Sequence, residues 1–76
     1  MSPWPIAAAL LSHRIGQTFR GVVTKASAAG PFVRIFHPPA EGMVVRGGSK
    51  LRVGQKVSLR LLHVDVEASL IDFAAV

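Results

Sequence analysis

The sequence predicts an all-β domain: five short antiparallel strands closed into a Greek-key barrel, with a short helix before them. Three observations carry this. Residues 16–36 read GQTFRGVVTKASAAGPFVRIF, two runs rich in Val, Ile, Phe and Thr around a loop of small residues ending in Gly30-Pro31. β-branched and aromatic side chains suit a pleated surface, and such a loop lets the chain reverse, so the stretch reads as a hairpin. Three further runs of strand character follow, separated by Gly, Pro and polar residues. Finally, 76 residues allow one domain with a modest core, and closure is the economical way for so small a sheet to hide its edges.

The elements follow in order. Residues 2–5 are an irregular lead-in, and 6–13 form a helix with Ile6, Leu10 and Leu11 on overlapping faces. Pro5 fits the first turn, where its missing N–H is not needed. So short a helix is marginal unless something packs on it, and Trp4 brings a large apolar area to bury. Two placements stay open: over one end of the barrel, or docked on a neighbouring domain. Residues 1–14 are thus a tail and short helix, with a linker remnant as one reading, and 15–76 are the barrel.

The first strand covers 17–26, with Gly21 marking a bulge or sharp bend. In the second, 32–36, strict alternation gives Val33 and Ile35 to the core and turns Phe32, Arg34 and Phe36 outward. The His-Pro-Pro-Ala stretch at 37–40 reads as a rigid connection that cannot continue a central strand. A third strand covers 42–45 and breaks at Gly47-Gly48-Ser49, and 49–54 fit a turn or a single helical turn. The fourth, 55–66, sets Val57, Leu59 and Leu61 opposite Ser58 and Arg60. Its alternation blurs through Leu62, His63 and Val64, as at a bulge. A polar turn over 65–69 leads to the closing strand, 70–74, with Phe73 buried.

All nine Lys and Arg residues lie between Arg14 and Arg60, opposed there only by Glu41; Asp65, Glu67 and Asp72 come later. A basic span of this kind suits a phosphate backbone or an acidic partner. The formal net charge is +5 and 50% of residues are hydrophobic, a combination that fits a packed module and not a disordered one. There is no cysteine to supply a disulfide or a thiolate metal site, and His13, His37 and His63 lack regular ligand spacing. No cofactor or metal is expected. No stretch has the length of a membrane span, and no basic residue precedes the apolar N-terminal run, so the expected location is the cytoplasm.

Catalytic groups are not legible. No context supports a Ser–His–acid triad, and Gly47-Gly48-Ser49-Lys50 lacks the order of a phosphate-cradling loop. Asp65 and Glu67 read as turn residues before they read as Mg²⁺ ligands. This chain alone is therefore not expected to be an enzyme. The combination with physical content is aromatic plus basic. Phe19, Phe32 and Phe36 offer faces on which bases can stack, and Arg20, Lys25, Arg34, Arg46, Lys50 and Arg60 can meet phosphates. His37, next to Phe36, joins them. A barrel groove with both kinds of group holds single-stranded nucleic acid. Phe19 is placed beside Phe32 and Arg34 on that surface, with Gly21 leaving room for a base or backbone to approach. The alternative is a protein-interaction or dimerisation module in which Trp4, Leu10 and Leu11 grip a neighbour or a second copy.

Over residues 15–73 the chain resembles the S1 RNA-binding domain, and more narrowly the S1 domain closing ribonucleases of the RNase II/RNase R type. The matching pieces are Ile15-Gly16 with Phe19 and Gly21-Val22-Val23; Gly30-Pro31-Phe32-Val33; Glu41-Gly42-Met43-Val44; and Val53-Gly54-Gln55-Lys56-Val57. Leu61 to Asp65 and Ile71-Asp72-Phe73 complete the set, and the Ile-Asp-Phe ending points to the ribonuclease branch. The resemblance implies an OB-type barrel that binds single-stranded RNA, with stacking aromatics at Phe19 and Phe32. It also implies a preceding catalytic domain of a processive 3′-to-5′ exoribonuclease as a partner in the same polypeptide. Three positions depart from the family pattern: Ala29 stands where it has an aromatic, Val45 where a histidine is frequent, and Ser69 where it has a basic residue. Arg34, Arg46 and Arg60 then carry more of the binding.

Overall fold

Alternation in the second half of the hairpin is what the structure realises most directly. The computed structural model of the chain describes residues 4–76. The start of the expected lead-in and the side chain of Trp4 lie outside the described residues. A helix, α1 (Trp4–Leu11), precedes five strands: β1 (Thr18–Lys25), β2 (Phe32–Phe36), β3 (Pro39–Arg46), β4 (Lys56–Asp65) and β5 (Leu70–Ala75). In β2, Val33 and Ile35 are fully buried while Arg34 and Phe36 are exposed and Phe32 is half-buried. Val23, Val44, Leu59, Leu61, Ile71 and Phe73 point to the same interior, and Ala8 and Leu11 of α1 join the cluster. No helix is long and apolar enough to cross a membrane.

The strands close in the order β1-β2-β3-β5-β4. Four of the pairings are antiparallel, but β3 and β5 run parallel, which departs from the all-antiparallel barrel expected. The reason is parity: a closed ring with an odd number of strands cannot alternate direction all the way round. β3 begins earlier than expected, at Pro39, which pairs with Phe36. A proline is tolerated there because the first residue of a strand can forgo its N–H.

Gly21 is not a bulge. It stays in register with Ile35 on β2 and Val57 on β4, where β1 passes from one neighbour to the other. Its side faces inward and is already filled: a Cβ there would lie 2.6 Å from the Arg34 carbonyl oxygen and 2.8 Å from Leu59 Cδ1. The space expected for a ligand is therefore occupied by the barrel itself. The register instead slips between Val23 and Lys25, between Val44 and Arg46, and between Leu61 and His63. Each slip is a bulge that adds one unpaired residue. The last is the one the blurred alternation anticipated.

Candidate nucleic-acid interface

Outward-facing residues of β1, β2 and β3 form three rows across the barrel. In the first, Arg20 and Phe36 line one shallow depression with Lys56. In the second, Arg34 stands between Val22 of β1 and Glu41 of β3, and Val22 is paired on its other side with Lys56. In the third, Phe32 lies between Lys25 and Met43, and the row continues through Asp72 of β5 to His63 of β4.

The bulges build the third row. Strict alternation from Val23 would point Lys25 inward; the extra residue, Thr24, turns it out beside Phe32. Leu62 does the same for His63, and Val45 for Arg46. The Lys25 Nζ then sits 5.7 Å from the Phe32 ring centroid, within cation–π range. Phe36 is 51% exposed, so its ring is open to a stacking partner.

The sequence-derived residues thus separate. Arg20, Lys25, Phe32, Arg34 and Phe36 share one surface, with exposed His37 in the turn after β2. Phe19 does not belong to it. It is 7% exposed and packed in the core, with the Arg14 guanidinium 4.7 Å from its ring centroid. Its parity with Val23 on β1 is the signal that assigns it inward. Arg60 pairs with Thr18, at the opposite end of β1 from Lys25, so it does not reach Phe32. Arg46 lies beyond Met43 at the end of β3 and flanks Ala74 with Arg60. Lys50 is exposed in a turn between β3 and β4. Three residues of this surface escaped sequence reasoning: Lys56, Met43 and Asp72. For Asp72 the signal was available, since it alternates with buried Ile71 and Phe73.

Among the described residues no three His, Asp or Glu side chains gather as a metal-binding group. Asp65 acts structurally: its Oδ1 accepts the Ala68 backbone N–H at 3.1 Å in the turn before β5.

Residues 17–76 match the model of the RNase II-type exonuclease C-terminal S1 domain. The chain belongs to that family. No curated protein sequence matches it. Among solved structures, the apo form of Mycoplasma genitalium RNase R superposes with a TM-score of 0.82 at 18% identity, over 96% of this chain and 15% of that one. The same enzyme in complex with ribose-methylated single-stranded RNA gives the same TM-score, identity and coverage. An uncharacterized protein from Methanocaldococcus jannaschii superposes at a TM-score of 0.67 and 24% identity, over 82% of this chain and 90% of that one. These likenesses establish the barrel. The S1 domain spans 15% of the length of the RNase R chains it matches.

Proposed function

We propose that this S1 domain binds single-stranded RNA without catalysing its cleavage, as the C-terminal module of a cytoplasmic 3′-to-5′ exoribonuclease. The observation that carries the reading is the β1–β2 surface. Two aromatic rings, Phe32 and Phe36, stand out from one strand with Arg34 between them and Arg20 and Lys25 alongside. Rings stack bases of any identity, and the cations meet phosphates. The strand 2–3 side of an OB barrel is also where oligonucleotides bind. Membership of the exonuclease family supports the assignment, as does the RNA bound by the structurally similar RNase R. That enzyme's chain is far longer than this domain, which leaves room there for chemistry elsewhere.

Titration of a labelled single-stranded oligonucleotide at several salt concentrations tests this. Counterion release requires log affinity to fall linearly with log salt. Arg34→Ala should weaken binding and lower that slope by about one. No binding at low salt, or binding indifferent to salt, overturns the reading. The competing interaction module loses one of its grips, since Leu11 is fully buried within the barrel's own core; Leu10 remains 57% exposed.

A further inference from the structure

The cleft over β3, about 450 Å³, is lined by Phe32, Met43 and Leu70 together with Glu41 and Asp72. Two of the chain's four acidic residues therefore sit beside the half-buried Phe32 ring. The two carboxylates disfavour a phosphate within the cleft, while Lys25 and Arg34 stand on its Phe32 side. Carboxylates accept hydrogen bonds and donate none, so the acids suit a group that presents donors. The register sets the order: Phe32 pairs with Met43, and Met43 with Asp72. Neighbouring strands stand about 4.8 Å apart, so a flat ring stacked at Phe32 and lying over Met43 reaches Asp72 with its far edge. His63 Nδ1 is 3.7 Å from one Asp72 oxygen, within ion-pair reach if the imidazole is protonated but beyond hydrogen-bond distance, so both carboxylate oxygens keep lone pairs to accept. Among the described residues Glu41 is in no ion pair, although it stands opposite Arg34.

From this geometry we infer that the Phe32–Met43–Asp72 row is a nucleobase subsite that selects guanine, with Asp72 reading the base edge and Glu41 supporting it from the rim. The inference rests on the RNA-binding reading above. Guanine alone presents two adjacent donors, N1–H and the 2-amino group, which match the two oxygens of one carboxylate. Adenine and cytosine present one amino group beside an acceptor nitrogen, and uracil one N–H between two carbonyls. Each of those sets an acceptor against the carboxylate. Single-stranded RNA is read in this way, by stacking plus hydrogen bonds to exposed base edges.

The test uses labelled oligouridine heptamers with a central guanosine, adenosine, inosine or uridine, measured by fluorescence anisotropy at low salt. The guanosine strand should bind roughly tenfold more tightly than the adenosine or uridine strand, the scale of one bidentate base contact. Inosine, which keeps N1–H and lacks the 2-amino group, should fall between. Asp72→Asn should abolish the difference between the guanosine and uridine strands. Glu41→Gln, at an exposed position, should reduce the preference without unfolding the chain, and thermal unfolding of both variants checks that. Equal affinities for guanosine and adenosine overturn the inference and leave the RNA reading standing. So does a guanosine preference that survives both substitutions. Failure of every strand to bind overturns both.

Discussion

Phe19 packs with the core under the Arg14 guanidinium, whereas Phe32 stands half-buried between Lys25 and Met43. Alanine at the two positions should therefore act on different measurements. Phe19→Ala removes a core ring and should cost about 3–5 kcal/mol of stability. Phe32→Ala should cost about 1–3 kcal/mol of RNA binding, one base stack, with a smaller loss of stability than Phe19→Ala. Thermal unfolding and oligonucleotide titration of both variants decide it. Equal destabilisation by the two would show that Phe32 is also core. Gly42 makes a related point without a side chain. A Cβ there would lie 2.5 Å from the Ile71 carbonyl oxygen and 2.7 Å from Phe73 Cε2, so its absence is what lets β5 approach β3. Gly42→Ala should destabilise by about 1–3 kcal/mol, read in a denaturant melt; an unchanged midpoint would mean the strands have room to move apart.

The third outer row is built by bulges. Without Thr24, Lys25 would take the inward parity of Val23 and carry an unpaired ammonium into the barrel. Buried unpaired charge costs several kcal/mol. Deleting Thr24 should accordingly lower the melting temperature sharply or abolish folding. Adding Lys25→Val to the deletion should restore a good part of the loss, because the inward position then receives an apolar side chain. If the deletion alone melts like the wild type, the bulge is not what holds Lys25 outside. The β4 bulge was visible in the sequence as blurred alternation through Leu62–Val64, since apolar residues there fall on both parities. The β1 bulge was not: Val23, Thr24 and Lys25 read equally well as a strand running out into its loop, and Gly21 drew attention to the wrong residue.

At the level of the whole molecule, α1 and the barrel share one core. Ala8 and Leu11 belong to the same buried cluster as Val33 and Phe73, and α1 packs on β3 and β4. The Gly16 N–H donates to the Leu61 carbonyl at 2.7 Å and ties the segment after the helix to β4. Leu11→Ala should therefore destabilise the barrel by about 2–5 kcal/mol, while Leu10→Ala, at a position 57% exposed, should stay within about 0.5 kcal/mol. Melting curves of the two variants are the measurement. Matching curves would mean that the helix only rests on the barrel.

By itself the sequence determined the number of strands, their approximate limits and the two faces of β2. Each of these follows from local order: period-two alternation, β-branched runs, and glycine or proline at the breaks. Phe19 was legible by the same rule, since two steps of alternation link it through Gly21 to Val23. The tertiary structure alone decided the parallel β3–β5 pair, the bulges that turn Lys25 and Arg46 outward, and the row that joins Phe32, Met43 and Asp72. Phe32 and Met43 face each other across a tight hairpin, but Asp72 lies far along the chain and joins them only through the parallel β3–β5 pairing. Alternation and turn geometry fix each strand's faces and its hairpin register, but which strands become neighbours across the closed ring depends on how the barrel packs its interior, and that leaves no periodic trace.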